Sequence, residues 1–143
     1  MKTFVLVTGG FDPLHRGHLA YFEAAYKFGD ALIVGLNSDE WLRRKKGKHF
    51  MDFEDRRAVI EALWMVDEVI KFDDSDGTAI DAIERCLDWY ENVNLIFCNG
   101  GDRTQENIPE MRIENPRLTF EFGVGGFDKQ NSSSDILERW SRG

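Results

Sequence analysis

Short apolar runs alternate along the chain with segments whose apolar residues recur at helical spacing. Residues 4–7 (Phe-Val-Leu-Val) and 31–36 are continuous apolar runs of the kind buried on both faces of a parallel sheet. Residues 68–72, 93–97 and 117–122 supply three further short strands. Between the strands, residues 17–28 carry Leu19, Phe22, Ala25 and Tyr26 at helical spacing, and Gly29 stops the run. Asn37 or Ser38 can cap a short helix containing Glu40, Trp41 and Leu42. Asp52 caps a helix whose early acids, Glu54 and Asp55, suit the dipole and whose apolar face reads Val59, Ile60, Leu63 and Val66. The turn 73–77 leads into a helix with Ile80, Ile83, Leu87 and Tyr90 on one side, and residues 132–140 form a closing helix. Residues 43–51 break the pattern and read as a mobile basic loop, 104–116 as irregular chain and 123–126 as a flexible glycine loop.

This alternation predicts right-handed crossovers and an α/β fold: a Rossmann-like, doubly wound, mainly parallel five-stranded sheet with helices on both faces, built as one domain over residues 1–143. Ligands of such sheets sit beyond the carboxyl ends of the strands. The loops 8–18, 99–103 and 123–134 fall at that edge, and 43–51 is expected to reach it from the end of a short helix. A single site is implied.

Composition narrows the classes. With 143 residues, 42% hydrophobic and 31% charged, the chain can bury a core without staples and is not a disordered polymer. A net charge of −8 disfavours a nucleic-acid binder, which needs a basic surface. Cys86 and Cys98 lack metal-ligand spacing and read as buried thiols in a reducing compartment. The apolar run near Met1 is too short for a signal peptide or a membrane span, so a cytoplasmic protein is expected.

The candidate chemistry centres on residues 7–18, Val-Thr-Gly-Gly-Phe-Asp-Pro-Leu-His-Arg-Gly-His. Paired glycines after a strand let backbone N–H groups approach a bulky anion, and a helix N-terminus favours negative charge. His15 and His18 stand three apart on one side of the first helical turn, where imidazole donors can meet phosphate oxygens as charge develops. Gly17 between them keeps side chains from crowding a nucleotide. Two further readings of the pair stand beside this one: plain surface histidines, and a metal site with Asp12 as an oxygen ligand. Arg43, Arg44, Lys45, Lys46 and Lys48 place five of 18 positive charges in six positions, a solvated loop or a cationic partner for a polyphosphate. Ser132, Ser133 and Ser134 cap the last helix and offer a second anion cradle.

Gly10-Phe11-Asp12 followed by His15-Arg16-Gly17-His18 resembles the G-x-F-D-x-x-H-x-G-H signature of the cytidylyltransferase-like nucleotidyltransferase superfamily. Asn37-Ser38-Asp39, the lysines near Lys46, Arg56-Arg57, Val66-Asp67-Glu68-Val69, Gly100-Gly101-Asp102 and Ser132-Ser133-Ser134 follow in order. The order is similar to that of glycerol-3-phosphate cytidylyltransferases and of the nucleotidyltransferase domains of ADP-heptose synthases.

The resemblance implies transfer of CMP or AMP from CTP or ATP to a phosphorylated small molecule, such as a sugar or polyol phosphate, with release of pyrophosphate. It makes His15, His18 and Lys46 catalytic. Thr8, Gly9, Gly10, Phe11, Asp12, Gly17, Lys45, Lys48, Gly100, Asp102, Ser132, Ser133 and Ser134 would line the nucleotide. Mg²⁺ would arrive with the triphosphate, with no metal held by the protein itself. Residues 66–69 would lie near the contacts of a homodimer. The chain departs from the pattern at 127–131, where Arg-Thr is usual before the serine motif, and at Leu137, where related adenylyltransferases place a cation. Those departures keep open an alternative, a nucleotide-binding module that senses rather than transfers.

Overall fold

The computed structural model describes residues 1–100, 108–125 and 133–143. In chain order the elements are β1 (Lys2–Gly9), α1 (Arg16–Tyr26), β2 (Ala31–Leu36), α2 (Asp39–Lys46), α3 (Phe53–Glu61), β3 (Glu68–Lys71), α4 (Ile80–Trp89) and β4 (Val93–Cys98). A 3₁₀ turn at Pro109–Arg112, β5 (Leu118–Glu121) and α5 (Ser133–Arg142) follow. The five strands form one sheet in the order β3-β2-β1-β4-β5, every neighbouring pair parallel. This is the doubly wound topology expected from the sequence.

The apolar runs are continuous because both faces are covered. Val5 and Val7 of β1, with Leu32, Val34 and Leu36 of β2, pack against Phe22 and Ala25 of α1 and Ile60 of α3. Leu6 and Ile33, with Leu95 and Phe97 of β4, point the other way, onto Ala82, Ile83, Cys86 and Leu87 of α4. Cys86 and Cys98 are buried free thiols, each pushed up to about 12 by burial and then by an acidic neighbour, Glu68 or Glu121.

Four expectations are corrected. Residues 43–46 are helical, forming the last turn of α2, and the chain leaves helix only at Gly47, whose φ of 87° is the left-handed C-cap conformation. Four cations in a final turn complement the dipole there, so the charge run extends the helix instead of breaking it. Val59 is exposed, because α3 ends at Glu61 and its inward face is Phe53, Arg56 and Ile60. Leu63 and Val66 reach the core through the turns that follow. Asp52 stands at the N-cap of α3, yet its carboxylate makes no capping bond and meets the His49 ring at 2.7 Å instead. Within the stretch expected to be irregular, residues 109–112 form the 3₁₀ turn.

The reversal of strand order falls between β1 and β4, whose carboxyl ends open onto loops 8–18 and 99–100. No helix among the described residues is long and apolar enough to cross a membrane.

Candidate active site

Loop 8–18 turns sharply because its glycines leave room for their neighbours. A Cβ on Gly9 would lie 2.7 Å from the Phe11 ring, and one on Gly10 would lie 2.6 Å from the Leu42 side chain. Phe11 occupies the left-handed region at φ 49°, and its ring stands edge-on to His18 and to Phe22. The glycines therefore serve packing as well as close approach. Thr8, next to last in β1, has its methyl group toward Gly35.

His15 is the N-cap of α1 and His18 is its third residue. The Gly17 N–H donates to His15 Nδ1 at 3.0 Å, and the His15 N–H donates to His18 Nδ1 at 3.2 Å. Imidazoles thus do what Ser and Glu do in a capping box. The rings stack at 3.8 Å with 28° between planes. With each Nδ1 accepting a backbone N–H, the ring proton is assigned to Nε2 in both. Burial, then His15 and the Lys46 ammonium, hold His18 down at about 3. Burial, then Arg16 and Lys46, lower His15 as well. Two neutral rings therefore each carry one Nε2–H donor across the physiological range. This refines the expectation of free backbone N–H groups at the helix start, since Gly17 N–H is already taken.

Asp12 is buried, and its two carboxylate oxygens accept the N–H groups of Phe50 at 2.6 Å and Met51 at 2.7 Å. It latches the 47–51 segment onto the loop, and its oxygens are committed to backbone, which weighs against a metal-ligand role. Lys46 acts electrostatically on both histidines, whereas the Lys45 ammonium lies 4.6 Å from the centre of the Trp41 ring. Lys48 is exposed in the segment after Gly47.

Arg56, fully buried, is the joint of the site. Its guanidinium donates to the carbonyls of Gly10, Asn37 and Met51, each at 2.9 Å, and to the Asp39 carboxylate at 2.7 Å. Three segments from three different connections are fixed by one side chain. Asp74 adds a second joint by accepting from Asn37 Nδ2, Ser38 N–H and Ser38 Oγ. Asp39, His49 and Asp52 lie close enough to hold a cation. There, however, Arg56 occupies one oxygen of Asp39, and the Arg43 guanidinium stands 3.1 Å from His49 Nδ1. The group works as an ion-pair network.

Ser133 is buried at the start of α5 and donates from Oγ to the Pro13 carbonyl at 2.8 Å. The last helix is thereby seated on loop 8–18, two ends of the chain brought together as expected. Ser134 is exposed. Gly100 lies against Tyr21 of α1, whose hydroxyl donates to the Cys98 carbonyl at 3.0 Å. Asp102, Ser132 and the 127–131 departure lie outside the described residues. Sequence reasoning passed over Asp74, hidden in an acidic turn, and His49 and Tyr21, which carry no spacing signal.

The cytidylyltransferase-like family model matches residues 6–139. Bifunctional protein HldE of Blochmanniella floridana is 47% identical over 96% of the chain, which covers 27% of that protein. The HldE protein of Syntrophotalea carbinolica is 32% identical over 99% of the chain, which covers 28% of it. The chain thus spans little more than a quarter of the length of these relatives. Among solved structures, the lipopolysaccharide core biosynthesis protein from Thermoplasma volcanium GSS1 superposes with a TM-score of 0.64 at 26% identity, covering 90% of this chain and all of that one.

Proposed function

The chain belongs to the cytidylyltransferase-like family of nucleotidyltransferases, and on that premise we propose that it transfers CMP or AMP from CTP or ATP to a phosphorylated small molecule, a sugar or polyol phosphate, releasing pyrophosphate. The observation that carries the reading is the stacked pair His15–His18, whose Nδ1 atoms are both held by backbone N–H groups. That arrangement holds both rings by backbone and leaves each a neutral Nε2–H donor, the kind of preorganised donor that stabilises charge developing in a transition state.

In this reading the acceptor phosphate attacks the α-phosphorus in line, the new P–O bond forms as the bond to the pyrophosphate oxygen breaks, and no covalent enzyme intermediate arises. His15 and His18 donate to the phosphoryl oxygens as negative charge shifts toward the leaving group. Lys46, on the last turn of α2, neutralises phosphate charge beside them. Asp12 and Arg56 hold the start of α2 and the segment after it against the loop, acting through position and not through the substrate. Ser133 seats the N-terminus of α5 next to Pro13, where its backbone dipole favours the polyphosphate.

Because Asp12 is committed to backbone, the site fits a Mg²⁺ held by phosphate oxygens and water. When bound with the triphosphate, the ion neutralises charge on the departing pyrophosphate. The reaction belongs in the cytoplasm, and residues 66–69 are the proposed contact of a homodimer. Four NTPs assayed against a panel of sugar and polyol phosphates for Mg²⁺-dependent pyrophosphate release test the proposal. Nucleotide binding without release from any pair would instead favour a sensing module.

A further inference from the structure

The carboxyl edge of the sheet does not end evenly. β1 stays paired with β2 as far as Gly9↔Leu36, whereas its pairing with β4 stops at Leu6↔Phe97. β4 meanwhile remains joined to β5 through Cys98↔Glu121. A crevice thus opens between β1 and β4 just past Leu6 and Phe97, at the reversal of strand order where ligands of such sheets bind. The N–H groups of Leu95 and Asn99 go to β5, so by alternation along the strand the Cys98 carbonyl is turned toward β1. A buried strand carbonyl that loses its neighbour needs another donor. Cys98 is buried, and its carbonyl accepts that bond at 3.0 Å from a side chain, the Tyr21 hydroxyl.

Tyr21 lies on α1, one turn after His18. It also meets both loops that leave the sheet beside the crevice. A Cβ on Gly100 would lie 3.2 Å from the Tyr21 ring and 3.3 Å from the Val124 carbonyl. One on Gly125, whose φ is 80°, would lie 3.4 Å from the Tyr21 Cα. The two loops are tied to each other as well, the Val124 N–H donating to the Asn99 carbonyl at 3.0 Å. Burial, then Cys98, push the phenol above its ordinary range, so it stays an O–H donor. We infer that Tyr21 is a positioning residue for the nucleotide: wedged where β4 parts from β1, it fixes the loops after β4 and β5 against the helix that carries His18. This rests on the transferase reading. It assigns Tyr21 to the fit of the nucleotide and not to the phosphoryl step, because the histidine rings are held by the backbone of their own turn.

The test uses the full chain with Tyr21→Phe, which removes the hydroxyl and keeps the ring beside Gly100. Ile83→Val, in the core on the opposite face of the sheet, controls for lost stability. Steady-state pyrophosphate release is measured with the NTP and acceptor that wild type turns over, alongside urea unfolding of each protein. In Tyr21→Phe the NTP KM is expected to rise about fivefold, the order of one hydrogen bond, with kcat and the acceptor KM within about twofold of wild type. Ile83→Val is expected to keep all three constants. An unchanged NTP KM in Tyr21→Phe, whatever its urea midpoint, overturns the inference and leaves the transferase reading standing. A loss confined to kcat or to the acceptor KM overturns it, because the hydroxyl would then act on the histidines or on the acceptor. An equal rise of the NTP KM in Ile83→Val overturns it in favour of stability alone. If wild-type protein turns over no pair, the transferase reading fails and calorimetry with CTP and ATP decides the role of Tyr21. Binding weakened about fivefold by Tyr21→Phe and not by Ile83→Val then upholds it, and equal binding, or none by wild type, overturns it.

Discussion

The His15 backbone N–H donates to the Nδ1 of His18, while His15 turns its own Nδ1 to the Gly17 N–H. The helix cap and the phosphate donors are therefore the same two side chains. Each alanine variant is expected to lose a cap worth about 1 kcal/mol and at least a hundredfold in turnover. Asparagine, whose Oδ1 can accept the backbone N–H, is expected to restore the stability and not the rate. Urea unfolding and pyrophosphate release on the same samples separate the two effects. Full activity in His18→Ala would remove the donor role.

The depressed His18 pKa ties stability to pH. Above pH 6.5 the ring is neutral in both folded and unfolded chains. As pH falls from 6.5 to about 3, the unfolded ring takes up a proton that the folded ring refuses, so stability declines over that window. Between pH 6.5 and 4.5 this one group accounts for about 3 kcal/mol at most. His18→Asn is expected to flatten the decline measured by urea unfolding at the two pH values. An identical slope in the variant would contradict the neutral, partly buried ring.

Arg56 carries a buried charge shared among four partners. Arg56→Ala leaves the Asp39 carboxylate and the Gly10, Asn37 and Met51 carbonyls without their donor. The expected loss is about 3 to 5 kcal/mol, read as a lower urea midpoint. A loss below about 1 kcal/mol would mean that the joint is relaxed by solvent.

The two adjacent lysines are expected to separate. The Lys46 charge acts on both histidines and Lys45 lies on Trp41. Lys46→Ala is expected to lower kcat/KM at least tenfold, and Lys45→Ala by less than threefold, in steady-state assays at fixed ionic strength. Equal losses would show that the cluster acts only as a diffuse field.

The fold was legible because its strands are apolar on both faces and its helices on one, so periodicity and order determine a doubly wound sheet. The histidine pair was legible because its spacing follows a strand and two glycines. What resisted reading was the supporting network. Arg56 occupies the inward face of α3, where periodicity expects an apolar residue, and its partners come from positions 10, 37, 39 and 51. Asp12 looks like a ligand in sequence and is a latch in space, because its partners are backbone N–H groups that no sequence pattern marks. Charge composition likewise misassigned residues 43–46, where cations favoured by the helix dipole read as loop.

Pyrophosphate release with CTP, ATP, GTP and UTP against cyclic and acyclic phosphorylated acceptors, in wild type and His18→Ala, tests the central claim most directly. The account predicts Mg²⁺-dependent release from CTP or ATP with one class of acceptor, reduced at least a hundredfold in the variant while its fold is retained. Tight nucleotide binding with no release from any pair would contradict it.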